Sequence, residues 1–164
     1  MINKYPFLIA EISANHSGSL KKAKKLIEIA KESGADAVKL QTFDADMMTI
    51  NSKENDFTIQ NGIWKGYKLW DLYDKAKTPF EWHHELFKYA KKLKIKIFSS
   101  PFSEESVDFL EKLNCPAYKI ASFEMCDIAL IRHIANKKKP IIISTGTQTL
   151  NDIETVNRLS LIHI

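Results

Sequence analysis

A chain of 164 residues with 45% apolar residues can bury one sizeable core, and its formal charge of +4 is mild. The lysines fall on helical surface patterns such as Lys21-Lys22 and Lys91-Lys92 with no basic-aromatic motif beside them, which argues against nucleic-acid binding. Cys115 and Cys126 lack metal or redox spacing and read as reduced packing residues. The apolar run Phe7 to Ala10 is too short for a signal peptide or a membrane span, so a soluble cytoplasmic protein is expected.

Phe7 to Ile12 reads as the first strand, with Glu11 near its C-terminal end. The polar loop Ser13-Ala14-Asn15-His16-Ser17-Gly18 follows. A helix comes next, with Leu20, Ala23, Leu26, Ile27 and Ala30 on one face, and Gly34 stands where a left-handed closing residue belongs. With a strand over 36–41, residues 7–41 make a β-α-β unit, which implies a right-handed crossover and a parallel sheet. On that strand Lys39 and Gln41 share one face and Val38 and Leu40 the other. A buried ammonium needs a partner charge, water or an anionic ligand. Tyr118-Lys119-Ile120-Ala121-Ser122 repeats the pattern, and two such lysines point to an anion site.

Residues 43–77 form a long connection. It reads either as a lid over the end of the sheet that carries Lys39 and Gln41, or as a loop anchored to the wall by Trp64 and Trp70. Thr78-Pro79-Phe80-Glu81 predicts a helix start with Thr78 as cap, running to about Lys92 and burying Leu86, Phe87, Ala90 and Leu93. His83 and His84 are adjacent on it and read as packing or surface residues. Then come Ile95 to Ser99 (strand), Ser103 to Leu113 (helix), Pro116 to Ile120 (strand), a helix near 126–136 and Pro140 to Ser144 (strand). A last helix starts near Thr149 with a Thr149/Asp152 capping box.

Five strands alternating with helices mean an α/β fold. The polar candidates Glu11, Gln41, Ser100, Ser122, Glu124 and Ser144 lie at or just after strand C-termini, the pattern of a (β/α)8 TIM-type barrel. A doubly wound sheet is the runner-up, but no Gly-rich fingerprint follows any strand. A full barrel takes about 250 residues. The chain is therefore expected to be an incomplete barrel: residues 1–158 as the N-terminal part of a catalytic domain, then a 159–164 tail of doubtful origin that does not continue the helix pattern.

Lysines and hydroxyls at such a rim suit a small phosphorylated or carboxylated substrate. Ser144-Thr145-Gly146-Thr147 offers hydroxyls and backbone N–H groups, and Glu124 offers a general acid or base. Five blocks together carry a resemblance: Ile9 to His16, Gly34 to Thr42, Phe98 to Phe102, Tyr118 to Glu124 and Ile143 to Gly146. They resemble the sialic acid (N-acetylneuraminate) synthase family over nearly the whole chain up to about Arg158. Gly62-Ile63-Trp64, Thr78 to His83 and Phe123 favour its pseudaminic acid branch, with N-acetylneuraminate synthesis as the alternative.

That resemblance implies condensation of phosphoenolpyruvate with an open-chain acetamido sugar to a nine-carbon 2-keto acid. It implies that Lys39, Gln41, Ser100, Lys119, Ser122 and Ser144 hold phosphoenolpyruvate, that Glu11 faces the sugar and that Glu124 handles protons. Ser100 stands where threonine is usual, and Thr147-Gln148 where Met-Ala is usual. The divalent metal (Mn or Mg) of the family is bound by histidines beyond residue 164. His16, His83, His84 and His133 match none of them, so no metal ligand is assigned. A homodimer is implied for the full-length protein, whose C-terminal domain lends an arginine to the partner's site. Two rival readings are an aldolase-type barrel with Lys39 or Lys119 as Schiff-base nucleophile, and a truncated, non-catalytic fragment.

Overall fold

Five short β-segments with helical segments between them form one parallel sheet in the order β1-β2-β3-β4-β5. The strands are β1 (Ile9–Glu11), β2 (Ala37–Thr42), β3 (Lys96–Pro101), β4 (Tyr118–Ile120) and β5 (Ile141–Ile143). The structure is a computed structural model that describes residues 5–161, with side chains as far as Leu159. Because the order never reverses, successive right-handed crossovers put the connecting helices on one side only. A doubly wound sheet needs a reversal, so the five units form part of a (β/α) barrel.

The helices are α1 (Leu20–Glu32), α2 (Ala45–Met48), α3 (Leu69–Ala76), α4 (Phe80–Lys92), α5 (Glu104–Lys112), α6 (Ile128–Ala135) and α7 (Leu150–Leu161). Val38, Leu40, Tyr118 and Ile120 point outward from the sheet and are fully buried against Ile27, Leu86, Leu110 and Ile131 of these helices. Each buried aliphatic side chain contributes about 1.5–3 kcal/mol. That layer fixes the register, since a one-residue slip would turn the lysines outward. Ser103 caps α5 by accepting the Ser106 N–H, and Thr149 and Asp152 form the anticipated box at α7. Gly34 closes α1 at φ 87°.

Several expectations are corrected. Thr78 does not cap α4; Pro79 is the N-cap residue, and the Thr78 hydroxyl is used by His16. The β1 strand begins at Ile9 instead of Phe7, and β3 runs on to Pro101, so Ser100 lies within the strand. Cys115 is a buried packing residue whose thiol is pushed up to about 11 by burial, but Cys126 is exposed and lies against the Gln148 amide. The last helix continues through Leu159, which packs on the core, to Leu161; residues 162–164 lie outside the described residues.

The long connection holds α2, a 3-10 turn (Asn55–Phe57), an isolated antiparallel bridge between Thr58 and Lys68, and α3. Trp70 donates to Asp46 at 2.6 Å, tying α3 to α2, whereas Trp64 is exposed and meets the Tyr67 ring edge-on. The Ser103 hydroxyl donates to Met47 Sδ at 3.4 Å. The connection therefore lies along the C-terminal rim of β2 and β3, held by Trp70 and not by Trp64.

Candidate functional site

In-register partners in a parallel sheet share a face, as do residues two apart on a strand. Glu11 pairs with Lys39, Gln41 with Ser100, and Lys119 with Ile142 two positions before Ser144. Ser99 pairs with Tyr118, which sets Ser100 and Lys119 together on the opposite face. Glu11, Lys39, Gln41, Ser100, Lys119 and Ser144 therefore all lie on the inner face, toward the C-terminal ends of the strands. Ser122 and Glu124 sit just beyond β4, in and beside a 3-10 helix (Phe123–Cys126).

The side chains of this face interlock. Lys39 forms an ion pair with Glu11, and its Nζ donates to Ser100 Oγ at 3.3 Å. Across β4 and β5, Lys119 Nζ donates to Ser144 Oγ at 2.6 Å and to the Ile120 carbonyl at 2.7 Å. The β5–α7 loop closes on β4 through the Ser122 carbonyl, which accepts from Thr147 at 3.1 Å and from Gln148 Nε2 at 3.3 Å. A Cβ added to Gly146 would meet Ser122 Oγ at 3.4 Å, so the missing side chain leaves that hydroxyl room.

The electrostatics are those of a site short of negative charge at one end. Burial holds Lys119 below the usual lysine range, and the nearby Lys39 ammonium lowers it further, while Glu11 and Glu124 oppose the shift. Burial likewise pushes Glu124 up, against the pull of its own backbone N–H and of Lys119. Its Oε2 is buried with no hydrogen-bond partner among the described residues. Such an acceptor costs free energy unless a ligand or proton satisfies it. An anion placed between the lysines would relieve their mutual repulsion, and a carboxyl held above its ordinary range is suited to exchanging a proton.

A model of the NeuB family matches residues 26–160. The chain belongs to the NeuB family. It is 52% identical over 149 residues to a pseudaminic acid synthase of Helicobacter pylori, covering 91% of this chain and 44% of that protein. It is 39% identical over 147 residues to an N,N'-diacetyllegionaminic acid synthase of Legionella pneumophila, covering 90% of this chain and 41% of that one. A crystal structure of an N-acetylneuraminic acid synthetase from Leptospira borgpetersenii in complex with citrate superposes with a TM-score of 0.82 at 26% identity. That superposition covers 96% of this chain and 50% of the other. The chain thus spans less than half the length of these curated NeuB relatives.

Within this NeuB chain, His83 is a buried packing residue as expected, while the bonds made by several polar side chains around the site were not foreseen. His16 is buried; its Nδ1 accepts the Gly18 N–H at 3.2 Å, so Nε2–H donates to Thr78 Oγ1 at 3.3 Å. On the outer face, His83 Nδ1–H donates to the Pro79 carbonyl at 3.1 Å, leaving Nε2 to accept from Thr42 Oγ1 at 2.8 Å. Thr42 in turn accepts from Ser99 Oγ at 2.6 Å. Burial lowers the pKa of both histidines, which keeps them neutral. Ser13 Oγ donates to Gln41 Oε1 at 2.6 Å. A histidine after an Asn in a polar loop, and a Thr and a Ser at strand ends, were the available signals; each is too common to single out.

Among the described residues no group of three or more His, Cys, Asp or Glu side chains converges to hold a metal ion. His16 and His83 are committed to the hydrogen bonds above. The described residues do not fit the divalent cation that the resemblance implies. Lysines also line a groove of about 480 Å³ between α4 and α5, but no carboxylate or hydroxyl joins Lys88, Lys91 and Lys112 there. None of the helices among the described residues is long and apolar enough to cross a membrane.

Proposed function

We propose that the protein carrying this chain condenses phosphoenolpyruvate with an open-chain acetamido sugar to a nine-carbon 2-keto sugar acid of the pseudaminic type. The observation that carries the reading is the pair Lys39 and Lys119 on one inner face, each bonded to a serine hydroxyl, with the partnerless Glu124 oxygen beyond them. Phosphoenolpyruvate brings a carboxylate and a phosphate, and two ammonium groups with Ser100, Ser122, Ser144 and the Gln41 amide match that charge and acceptor count. The citrate in the Leptospira structure is a small polycarboxylate of the same general class. Identity of 52% to a pseudaminic acid synthase against 39% to a legionaminic acid synthase supports the pseudaminic product over its relatives.

In the reaction, C3 of phosphoenolpyruvate bonds to the sugar's aldehyde carbon, whose oxygen takes up a proton to become a hydroxyl, and water adds at C2. The C2–O bond to phosphate then breaks, leaving inorganic phosphate and a ketone. Glu124, as its carboxylate, takes the proton from the adding water. Lys39 and Lys119 hold the phosphate and carboxylate charge in place, and Glu11, released from Lys39 as the anion binds, is left to accept from a sugar hydroxyl. Phosphate release from phosphoenolpyruvate tests the reading in the full-length protein. It should depend on the acetamido sugar that yields pseudaminic acid and be slower by at least about tenfold with the one that yields N-acetylneuraminate. Equal rates would remove the pseudaminic assignment.

One observation favours a second reading. A lysine with a lowered pKa, as Lys119 has, is also what a Schiff-base nucleophile needs. Borohydride trapping separates the two. A substrate adduct reduced onto Lys119 would establish the aldolase-type route, and the condensation proposed above forms none.

A further inference from the structure

The β1–α1 loop delivers a side chain whose part in the chemistry is not yet assigned. Ser13 has φ 45°, a left-handed backbone that is uncommon in residues with side chains. Its surroundings are specific. The Ser13 N–H donates to Glu11 Oε1 at 3.1 Å, and both the backbone N–H and Nδ2 of Asn15 donate to the Ile12 carbonyl at 3.0 Å. Beyond them, buried His16 accepts from Gly18 and donates to Thr78, pinning the loop to the start of α4. What this loop holds in place is the Ser13 hydroxyl, 2.6 Å from Gln41 Oε1.

Gln41 is a planar amide with an acceptor at one end and two donors at the other. With Oε1 taken by Ser13, the donating Nε2 makes no hydrogen bond to any described residue. It lies on the face and at the register position of Ser100, beside Lys39. An amide free to turn over would present its oxygen to a bound anion for part of the time, which repels it. Bonded through Oε1 to Ser13, the amide is anchored at that end and offers its N–H groups to the anion.

We infer that Ser13 is a positioning residue for anion binding, holding the Gln41 amide with its N–H groups offered to the anion that Lys39 and Ser100 receive. This rests on the reading of the site as a phosphoenolpyruvate pocket. Ser13 touches no reacting atom; it acts through Gln41.

Steady-state kinetics and thermal melts of the full-length protein test it, with Ser13→Gly made alone and in a Gln41→Ala background. Glycine removes the hydroxyl and takes φ 45° freely, so the melt should be unchanged or higher. KM for phosphoenolpyruvate should rise about five- to tenfold while kcat stays within about twofold. In the Gln41→Ala background the same substitution should leave KM unchanged, because the partner is gone. An equal KM rise in both backgrounds, or a lower melt with kcat and KM impaired together, overturns the positioning role. If the parent protein consumes no phosphoenolpyruvate, the functional reading falls and takes this inference with it. If the parent does and Ser13→Gly matches it, only this inference falls.

Discussion

Glu11 and Lys39 stand directly opposite one another on β1 and β2, and their side chains close an ion pair on the inner face. The Lys39 side chain is 14% exposed and that of Glu11 44%, so the lysine is the enclosed partner and the carboxylate the one with access to water. That asymmetry decides what loss of the pair does. Without Lys39, Glu11 rehydrates, and the stability cost is that of a partly exposed pair, about 0–1 kcal/mol.

The functional cost should be larger. A charge-assisted contact to a bound anion is worth about 1.5–3 kcal/mol. Lys39→Met in the full-length protein should therefore raise KM for phosphoenolpyruvate about 10- to 100-fold with little change in melting temperature. Lys22→Met is the control, since Lys22 is exposed on α1. Indistinguishable kinetics for the two variants would take Lys39 out of the pocket.

Glu124 gives a prediction on two axes. If it moves the proton of the adding water, Glu124→Gln should lower kcat on the order of 10²–10⁴-fold with a much smaller change in KM. Its stability signature follows from the direction of its pKa. The folded-state pKa lies above 4.5, so the unfolded chain ionises first as pH rises, and the charged carboxylate then disfavours the fold. Glu124→Gln should accordingly gain melting temperature over wild type above that range, and the gap should close as pH falls below it. A neutral-pH melt below wild type, together with near-normal turnover, would make Glu124 a packing residue.

The architecture was legible because two periods coincide with it: polar residues at strand ends and apolar residues on the outer strand face and helix stripes. Lys39 and Lys119 stood out as charges inside apolar runs, and the register brings both to one face. What was not legible depends on tertiary partners. Thr78 has the sequence of a helix cap, but a buried histidine competes for its hydroxyl and wins. Lys94, Asn114 and Lys138 close helices at positive φ where only Gly34 announced itself. Cys126 looked like packing, but it ends the 3-10 turn between β4 and α6, where its side chain is exposed. Ser13 carries no local signal, since its meaning comes from Gln41 on another strand.

His83 predicts an acid limit to stability. It bridges Thr42 and the Pro79 carbonyl as a neutral ring, and burial keeps its folded pKa below 6.5. The unfolded histidine takes up a proton first as pH falls, so its contribution is complete above 6.5 and drains away below it. His16 adds in the same direction. Melts between pH 7.5 and 5.5 should show this loss. His83→Gln should be less stable at pH 7.5 yet lose less over the same interval; an unchanged slope would mean that other groups set the acid limit.

The last prediction concerns residues 1–164 expressed on their own. The sheet's edges are β1 and β5, each paired on one side only. Phe7, Leu8 and Ile9 are exposed at the first edge and Ile142 at the other, although strands of this kind are normally covered on both faces. A row of unpaired backbone donors and acceptors next to apolar side chains is a template for further strands. The cost is considerable against a typical net stability of about 5–15 kcal/mol. Each large aliphatic residue left in water forgoes about 1.5–3 kcal/mol, so a few such positions cancel much of the total. The polypeptide should therefore elute as soluble aggregates or partition into the pellet, and release no phosphate from phosphoenolpyruvate and amino sugar with manganese supplied. Ile9→Lys with Ile142→Lys, which places a charge on each edge, should shift material toward monomer without creating activity. A monomeric wild-type segment with a cooperative melt and sustained turnover would show that these edges need no cover.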